Sequence, residues 1–215
     1  MTHLEIRRLT AEDANVDAVQ VATIIGTAFA PLEVTKWLVP NPTDRVRMLA
    51  AQFTLFVEDA LQHGEVLVGS DGPATSAGIQ AAAVWFRELN GPHSLPDDYD
   101  ERLKQICGEH VDRFRALDKA FAQHHQAGYP HHCLTYLATL PDHQGQGVGT
   151  ALLRHTHREL DRTQVPAYLV ASNARTRDWY AQHGYVSVRS NLRLPEGPEM
   201  WPMWRDPQDP DKAAL

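Results

Sequence analysis

The stretch from Leu134 to Thr150, LTYLATLPDHQGQGVGT, places glycines at 145, 147 and 149 between an apolar run and an amphipathic one. Glycine leaves its backbone N–H uncovered by a Cβ. A helix starting at this point adds unpaired N–H groups and the positive end of its dipole. Together these suit a phosphate or pyrophosphate. A nucleotide P-loop, GxxxxGK[ST], is excluded because the turn has no lysine. A dinucleotide fingerprint fails as well. Thr150 stands in the third glycine position, and no acid lies about twenty residues on, where 165–171 reads VPAYLVA. A turn whose glycines serve backbone geometry alone is the plain alternative.

Charge favours the anion. Between Gln144 and Arg193 seven arginines face three acids, a net +4, which leaves −11 on the rest of a chain whose total is −7. Such a division attracts phosphates to one region and a cationic partner to the other. Arginines on helix faces that are merely solvated give the same count, and Arg158 and Arg162 read that way. A second group follows the turn: Asn173 after the apolar run Ala167–Ala171, then Tyr180, then Gly184-Tyr185. Asn173 is a ligand-orienting amide or an ordinary helix N-cap. Tyr180 is a proton donor or a core aromatic.

Alternation predicts a strand at Leu4–Leu9, and steps of three and four predict a helix over Val16–Ala30. Thr43 or Asp44 caps a second helix that ends at His63-Gly64. Strands follow at Glu65–Gly69 and Ala77–Phe86, joined through Ser70-Asp71-Gly72-Pro73. One long helix runs from Asp97 or Asp98 to Gly128. A buried strand Cys133–Leu140 leads to the glycine turn and a helix over about Gly147–Thr163. Then come a strand Ala167–Ala171, a helix Ala174–His183, a strand Tyr185–Leu194 and a closing strand Met200–Trp204. No repeat or linker divides the chain. The expectation is one mixed α/β domain over residues 1–205, a mostly antiparallel central sheet flanked by helices, and a loose tail at 206–215.

Gln144-x-x-Gly147-x-Gly149 at a strand-to-helix junction resembles the acetyl-CoA signature of the GCN5-related N-acetyltransferase (GNAT) superfamily. The strand, Asn173, Tyr180 and Gly184-Tyr185 match its second signature, about thirty residues on. The match is strong over 130–190. Within the superfamily the chain is similar to the puromycin N-acetyltransferase branch, on PDHQGQG from Pro141, VPAYL from Val165 and PEGPEMWPM from Pro195. Ala28-Phe29-Ala30 and Ala83-Val84-Trp85 fit as well.

The resemblance implies the GNAT fold and an acetyl-CoA-dependent N-acetyltransferase acting on a primary amine of a small molecule, an aminonucleoside-type antibiotic being one candidate. The other readings are a non-catalytic acyl-CoA-binding module and a protein-lysine acetyltransferase. It implies that the backbone of Gln144, Gly145, Gln146, Gly147, Val148, Gly149 and Thr150 holds the CoA pyrophosphate. Pantetheine pairs with Leu137, Ala138 and Thr139, and an N–H near Leu137 polarises the acetyl carbonyl. The family usually has an aliphatic residue where Thr139 stands. Tyr180 becomes the general acid for the departing thiolate, and Asn173 contacts CoA or caps its helix. Glu33, Trp37, Trp85 and Trp179 are acceptor-site candidates. No general base is visible: Glu33, Glu88, Asp97, Glu101, His131 and His132 are all conceivable. A weakly basic amine needs little help to shed its proton, whereas a lysine amine near pKa 10.4 needs a good deal.

The net charge of −7 argues against nucleic acid as partner, and the broken apolar run Val19–Leu32 against a membrane span. A cytoplasmic enzyme, monomeric or homodimeric, is expected. Cys107 and Cys133 make no disulfide framework. Twelve histidines are present, but no Cys or carboxylate completes a ligand set with His124-His125 or His131-His132, so no metal is expected.

Overall fold

The computed structural model describes residues 4–10, 12, 14–71, 78–89, 93–125, 128–188 and 190–209. In chain order the elements are β1 (Leu4–Arg8), α1 (Ala14–Phe29), α2 (Glu33–Leu38), α3 (Pro42–His63), β2 (Gly64–Asp71) and β3 (Ile79–Glu88). They continue as α4 (Tyr99–Cys107), α5 (Val111–His124), β4 (His131–Thr139), α6 (Val148–Thr163), β5 (Ala167–Ala171) and α7 (Ala174–Ala181). Three strands close the chain, β6 (Val186–Ser187), β7 (Leu192–Arg193) and β8 (Glu199–Arg205). The expected turn residues Gly72 and Pro73, the strand start at Ala77 and most of the tail lie outside the described residues.

Strand order is β1-β2-β3-β4-β5-β8-β6, with β7 also paired to β8. Among the described strands only β4–β5 is parallel and the other pairings are antiparallel. This is the expected mixed α/β architecture. In β3 all residues but Arg87 are buried, because helices cover both sheet faces, and its sequence is accordingly apolar rather than alternating. On one face α1 and α3 pack over Val66, Val84 and Phe86. On the other, Leu152, Leu153 and Leu160 of α6 pack over Leu67, Trp85 and Leu169. Helices α1 and α3 approach closely at Gly26, where a Cβ would sit 3.1 Å from the Ala50 amide nitrogen.

Three boundaries differ from the sequence expectation. Helix α3 is capped by Asn41, whose Oδ1 accepts from the Thr43 amide at 3.0 Å, with Pro42 in the first turn, rather than by Thr43 or Asp44. The single helix expected over 97–128 is two, broken at Gly108 with φ +51°. The break lets Leu103, Cys107, Val111 and Phe114 all reach the core. The strand expected over Tyr185–Leu194 is two short pieces, β6 and β7, pairing at opposite ends of β8.

Strand β4 carries a bulge. Val84 faces Tyr136 while Trp85 faces Leu134, so Thr135 is an extra residue on β4. The bulge inverts the alternation: Leu134 points to the α6 core, Tyr136 to the α1–α3 core. Pairing with β5 stops at the same place. It covers only His132–Leu134 against Ala167–Leu169, whereas β4 stays paired with β3 to Thr139 and β5 with β8 to Ala171. Beyond Leu134 the two central strands part, and the sheet opens into a wedge.

Candidate active site

A cleft of about 590 Å³ occupies the wedge. One wall is the β4 edge from Leu134 to Thr139, which has no strand partner on that side beyond Leu134. Its backbone N–H and C=O groups are therefore available to an extended ligand carrying amides. The opposite wall comes from Leu169, Val170, Ser172 and the first turns of α7. A third wall, Ala28, Phe29, Pro31 and Leu32 at the α1–α2 junction, was not singled out as a site from the sequence. It is held by aromatic stacking. Tyr136 lies 4.8 Å from Phe53 and 6.1 Å from Phe29 between ring centres.

At its upper end the cleft meets the glycine turn. Gly145 and Gly147 have φ of +74° and +85°, and a Cβ on either would meet nothing within 4 Å. Conformation, not crowding, demands glycine at both. Left-handed residues at the start of α6 turn successive amides to one side, forming a concave anion site. No side chain caps α6, and its first turn has no acid, so its N-terminal amides and dipole end stay open. Gln144 fixes the turn to β4 by donating to the Thr139 carbonyl at 3.0 Å. A Cβ at Gly149 would lie 3.4 Å from Thr139 Oγ1, so the threonine found in place of an aliphatic residue packs on the turn itself.

Tyr180 stands on the α7 wall, half-buried, with its ring 4.9 Å from Trp179 and 5.6 Å from Tyr185. Its hydroxyl bonds no described residue. Burial pushes its phenol above the ordinary tyrosine range, so it stays protonated at neutral pH. Asn173 caps α7: its Oδ1 accepts from the Thr176 amide at 2.9 Å while Thr176 Oγ1 accepts from the Asn173 amide at 3.2 Å. The N-cap reading therefore holds, and Asn173 also lines the cleft. Gly184, at φ +87°, ends the turn after α7 and sends Tyr185 into the core beneath Tyr180. There the Tyr185 hydroxyl lies 3.0 Å from His157 Nε2. Burial drives His157 down to about 3, so it is a neutral partner.

Of the residues singled out from sequence, Leu137, Ala138, Thr139, Gln144, Gly145, Gly147, Val148, Gly149, Thr150, Asn173 and Tyr180 all line this one cleft. Gln146 does not; it is exposed at the rim, and its amide donates to the Asp142 carbonyl at 2.9 Å. Of the acceptor-site candidates Trp179 lines the cleft, whereas the other three are elsewhere, for physical reasons. Trp85, 1% exposed, points from the central strand into the α6 core, edge-on to His157. Trp37 donates to the Pro195 carbonyl at 3.1 Å and lies under the Arg113 guanidinium, clamping the turn before β8. Glu33 is exposed and paired with Lys36.

No aspartate or glutamate among the described residues lines the cleft; its ionisable wall groups are His143, Arg175 and Tyr180. Asp97 and Glu101 are exposed, and Glu88, His131 and His132 lie off the wall. Burial lowers His132 to about 4. Asp118, overlooked in the sequence, is raised by burial to about 6 and accepts from the Tyr99 hydroxyl at 3.0 Å, again off the wall.

No described helix is long and apolar enough to cross a membrane. Residues 108–187 match the family described as an acetyltransferase (GNAT) domain, spanning the wedge, the turn and α7. Among solved structures, one is described as histone acetyltransferase HPA2 and related acetyltransferase from Corynebacterium glutamicum. It is 25% identical, with a TM-score of 0.67 over 98% of this chain and 99% of that one. Arylalkylamine N-acetyltransferase 2 from Aedes aegypti superposes with a TM-score of 0.58 at 13% identity, over 96% of this chain and 100% of that one. The C-terminal condensation domain of Ebony, solved with beta-alanyl-dopamine, gives 0.56 at 14% identity over the same shares. The splayed sheet, the glycine turn and these likenesses agree: this chain has the GNAT fold, and its residues 108–187 match the acetyltransferase (GNAT) domain family.

Proposed function

We propose that the protein transfers an acetyl group from acetyl-CoA to a primary amine of a small molecule. The observation that carries this is the unpaired edge of β4 leading directly into the uncapped, glycine-built start of α6, with Tyr180 across the cleft. Pantetheine amides pair with Leu137–Thr139, and the pyrophosphate rests on the backbone of Gln144–Thr150. The amine attacks the thioester carbonyl, and a backbone N–H near Leu137 stabilises the oxyanion. As the tetrahedral intermediate collapses, the C–S bond breaks and Tyr180 gives its proton to the sulfur, while the attacking nitrogen sheds a proton to water, from which the phenol is restored.

Among the described residues the cleft wall has no carboxylate to balance an ammonium, which supports entry of the acceptor as the neutral amine. This supports a weakly basic amine over a lysine side chain near pKa 10.4. The walls at Phe29, Leu32, Trp179 and Tyr180 support an acceptor with an aromatic or other apolar body. A protein-lysine acetyltransferase is the second reading, supported by the description of the Corynebacterium relative.

The test is thiol release from acetyl-CoA with a panel: an arylalkylamine, puromycin, an aminoglycoside and a lysine-rich peptide. Release with a small amine supports the proposal, and puromycin turnover would extend it to the branch that the sequence resembles. Turnover of the peptide alone overturns the acceptor class. A rise of about 5–10 °C in melting temperature at a hundred times Kd, without turnover of any amine, would mark an acyl-CoA-binding module. No rise would remove CoA from the site.

A further inference from the structure

At the opposite end of β4 from the glycine turn, three buried donors from separate segments converge: Glu88 ending β3, His125 following α5, and His131 opening β4. Glu88 and His131 are register partners across the β3–β4 ladder. The Glu88 carboxylate Oε2 lies 2.5 Å from His125 Nε2 and 3.9 Å from His131 Nε2. All three atoms fall within 4.8 Å of one another. The side chains are 5%, 8% and 1% exposed, and none of the three atoms has a hydrogen-bond partner among the described residues. The short His125–Glu88 approach is not aligned as a hydrogen bond.

Orphaned polar atoms this deep are rare, because each forfeits its hydration. Three aimed at a common point are satisfied together by one cation. Two imidazole nitrogens and a carboxylate oxygen suit a divalent transition ion, zinc first among them. Donors held about 2.0–2.1 Å from a tetrahedral zinc stand about 3.3 Å apart, and the two Glu88 separations straddle that spacing. Supporting contacts fit as well. His131 Nδ1 lies 2.7 Å from the Tyr129 carbonyl; donating its N–H there leaves the lone pair on Nε2, facing the cluster. Tyr168 packs 5.0 Å from His125, and Trp204 packs 5.1 Å from His131, closing the pocket with aromatic rings. The buried Cys133 thiol hydrogen-bonds Glu88 beside the set.

We infer that Glu88, His125 and His131 bind one divalent transition ion, which ties β3, the α5–β4 connection and β4 together below the wedge. A second group, Asp59, His63 and His93, has the same composition but needs no ion. Asp59 uses one oxygen on His63 Nδ1 at 2.8 Å and the other on His93 Nε2 at 2.5 Å.

The inference does not depend on the acetyltransferase reading and is tested without an activity assay. The whole chain is stripped with a chelator, then titrated with Zn²⁺ alone against a chromophoric competitor, with bound metal counted by mass spectrometry. The expected result is one equivalent bound and a higher melting temperature. Glu88→Gln and His125→Ala should each weaken binding by about 100-fold or more, whereas His63→Ala should leave it unchanged. Circular dichroism of the metal-free variants checks folding. Should Glu88→Gln fail to fold, His125→Ala, altered in a loop, gives the reading. The inference falls if the wild type takes up no zinc, if both cluster variants bind as it does, or if His63→Ala abolishes binding.

Discussion

Tyr180→Phe removes one hydroxyl from a ring whose other contacts stay in place. The ring keeps its edge-on packing against Trp179 and Tyr185, and the lost hydroxyl bonded no described residue. The expected cost in stability is therefore below about 1 kcal/mol, the net worth of one hydrogen bond. That is under about 4 °C in melting temperature for a chain of this size. The cost in rate is larger. A thiol of ordinary pKa about 8.5 leaves a phenol of about 10 with the proton donated uphill by about 2 kcal/mol. Burial raises the phenol further, and the same desolvation acts on a thiolate leaving into the cleft, so the donor and the acceptor of the proton shift in the same direction. Without Tyr180 the thiolate departs unprotonated into a half-buried cleft. We expect kcat to fall by ten-fold at least and by up to the about 10²–10⁴ typical of acid–base catalysis, with KM for acetyl-CoA nearly unchanged. The assay follows free CoA thiol with the best amine of the panel. Because the phenol is pushed up, the wild type should show no loss of kcat to tyrosine ionisation up to about pH 9. A Tyr180→Phe variant with wild-type kcat would refute the proton-donor role. A fall in melting temperature well beyond 4 °C would show that the hydroxyl is structural instead.

Gly147→Ala forces a Cβ into a left-handed position at φ +85°, at a cost of about 1–2 kcal/mol. The expected result is a melting temperature lower by about 2–8 °C and an acetyl-CoA KM raised several-fold, read by calorimetry and kinetics. Arg205 and Asp161 form a buried bidentate pair at 2.7 and 2.8 Å, which ties β8 to α6. Arg205→Met should cost about 2–3 kcal/mol by leaving the partly buried carboxylate with the Gln208 amide alone. Burial pushes Asp161 up, but Arg205 and the Gln208 amide outweigh it and hold the carboxyl below its usual value. That contribution is complete above the unfolded carboxylate pKa of about 3.9 and lost as pH falls through the lower folded value. The melting-temperature gap between wild type and Asp161→Asn should accordingly narrow below pH 4. With no carboxylate among the described residues of the cleft wall, log kcat/KM should rise with unit slope to the acceptor's own pKa. The inflection should move by about 2.5 pH units between an amine near 7.9 and one near 10.4. An inflection fixed across acceptors would expose an enzyme base.

What the sequence alone determined was local. Glycines at 145, 147 and 149 before an amphipathic stretch declare an anion-binding helix start, because positive φ and an uncapped N-terminus are properties of a few consecutive residues. Asn173 before Ala174–Ala181 was legible as a cap for the same reason. The strands around the turn could be read from apolar runs, and their order followed from the signatures they flank. Longer-range features had no such signal. Trp85 and Trp37 were plausible acceptor contacts until β3 took the middle of the sheet and Trp37 closed on Pro195, 158 residues away. The bulge at Thr135 arises from register with β3, and the wedge from the point where β5 leaves β4 for β8 alone. The wall at Phe29–Leu32 joins the cleft only because α1 packs across Tyr136. The carboxylate that the histidines near 125 and 131 lacked in the sequence comes from Glu88, brought opposite His131 by an antiparallel pairing. Periodicity reports which face of an element is apolar, whereas which side chains meet is decided by non-local pairing and packing.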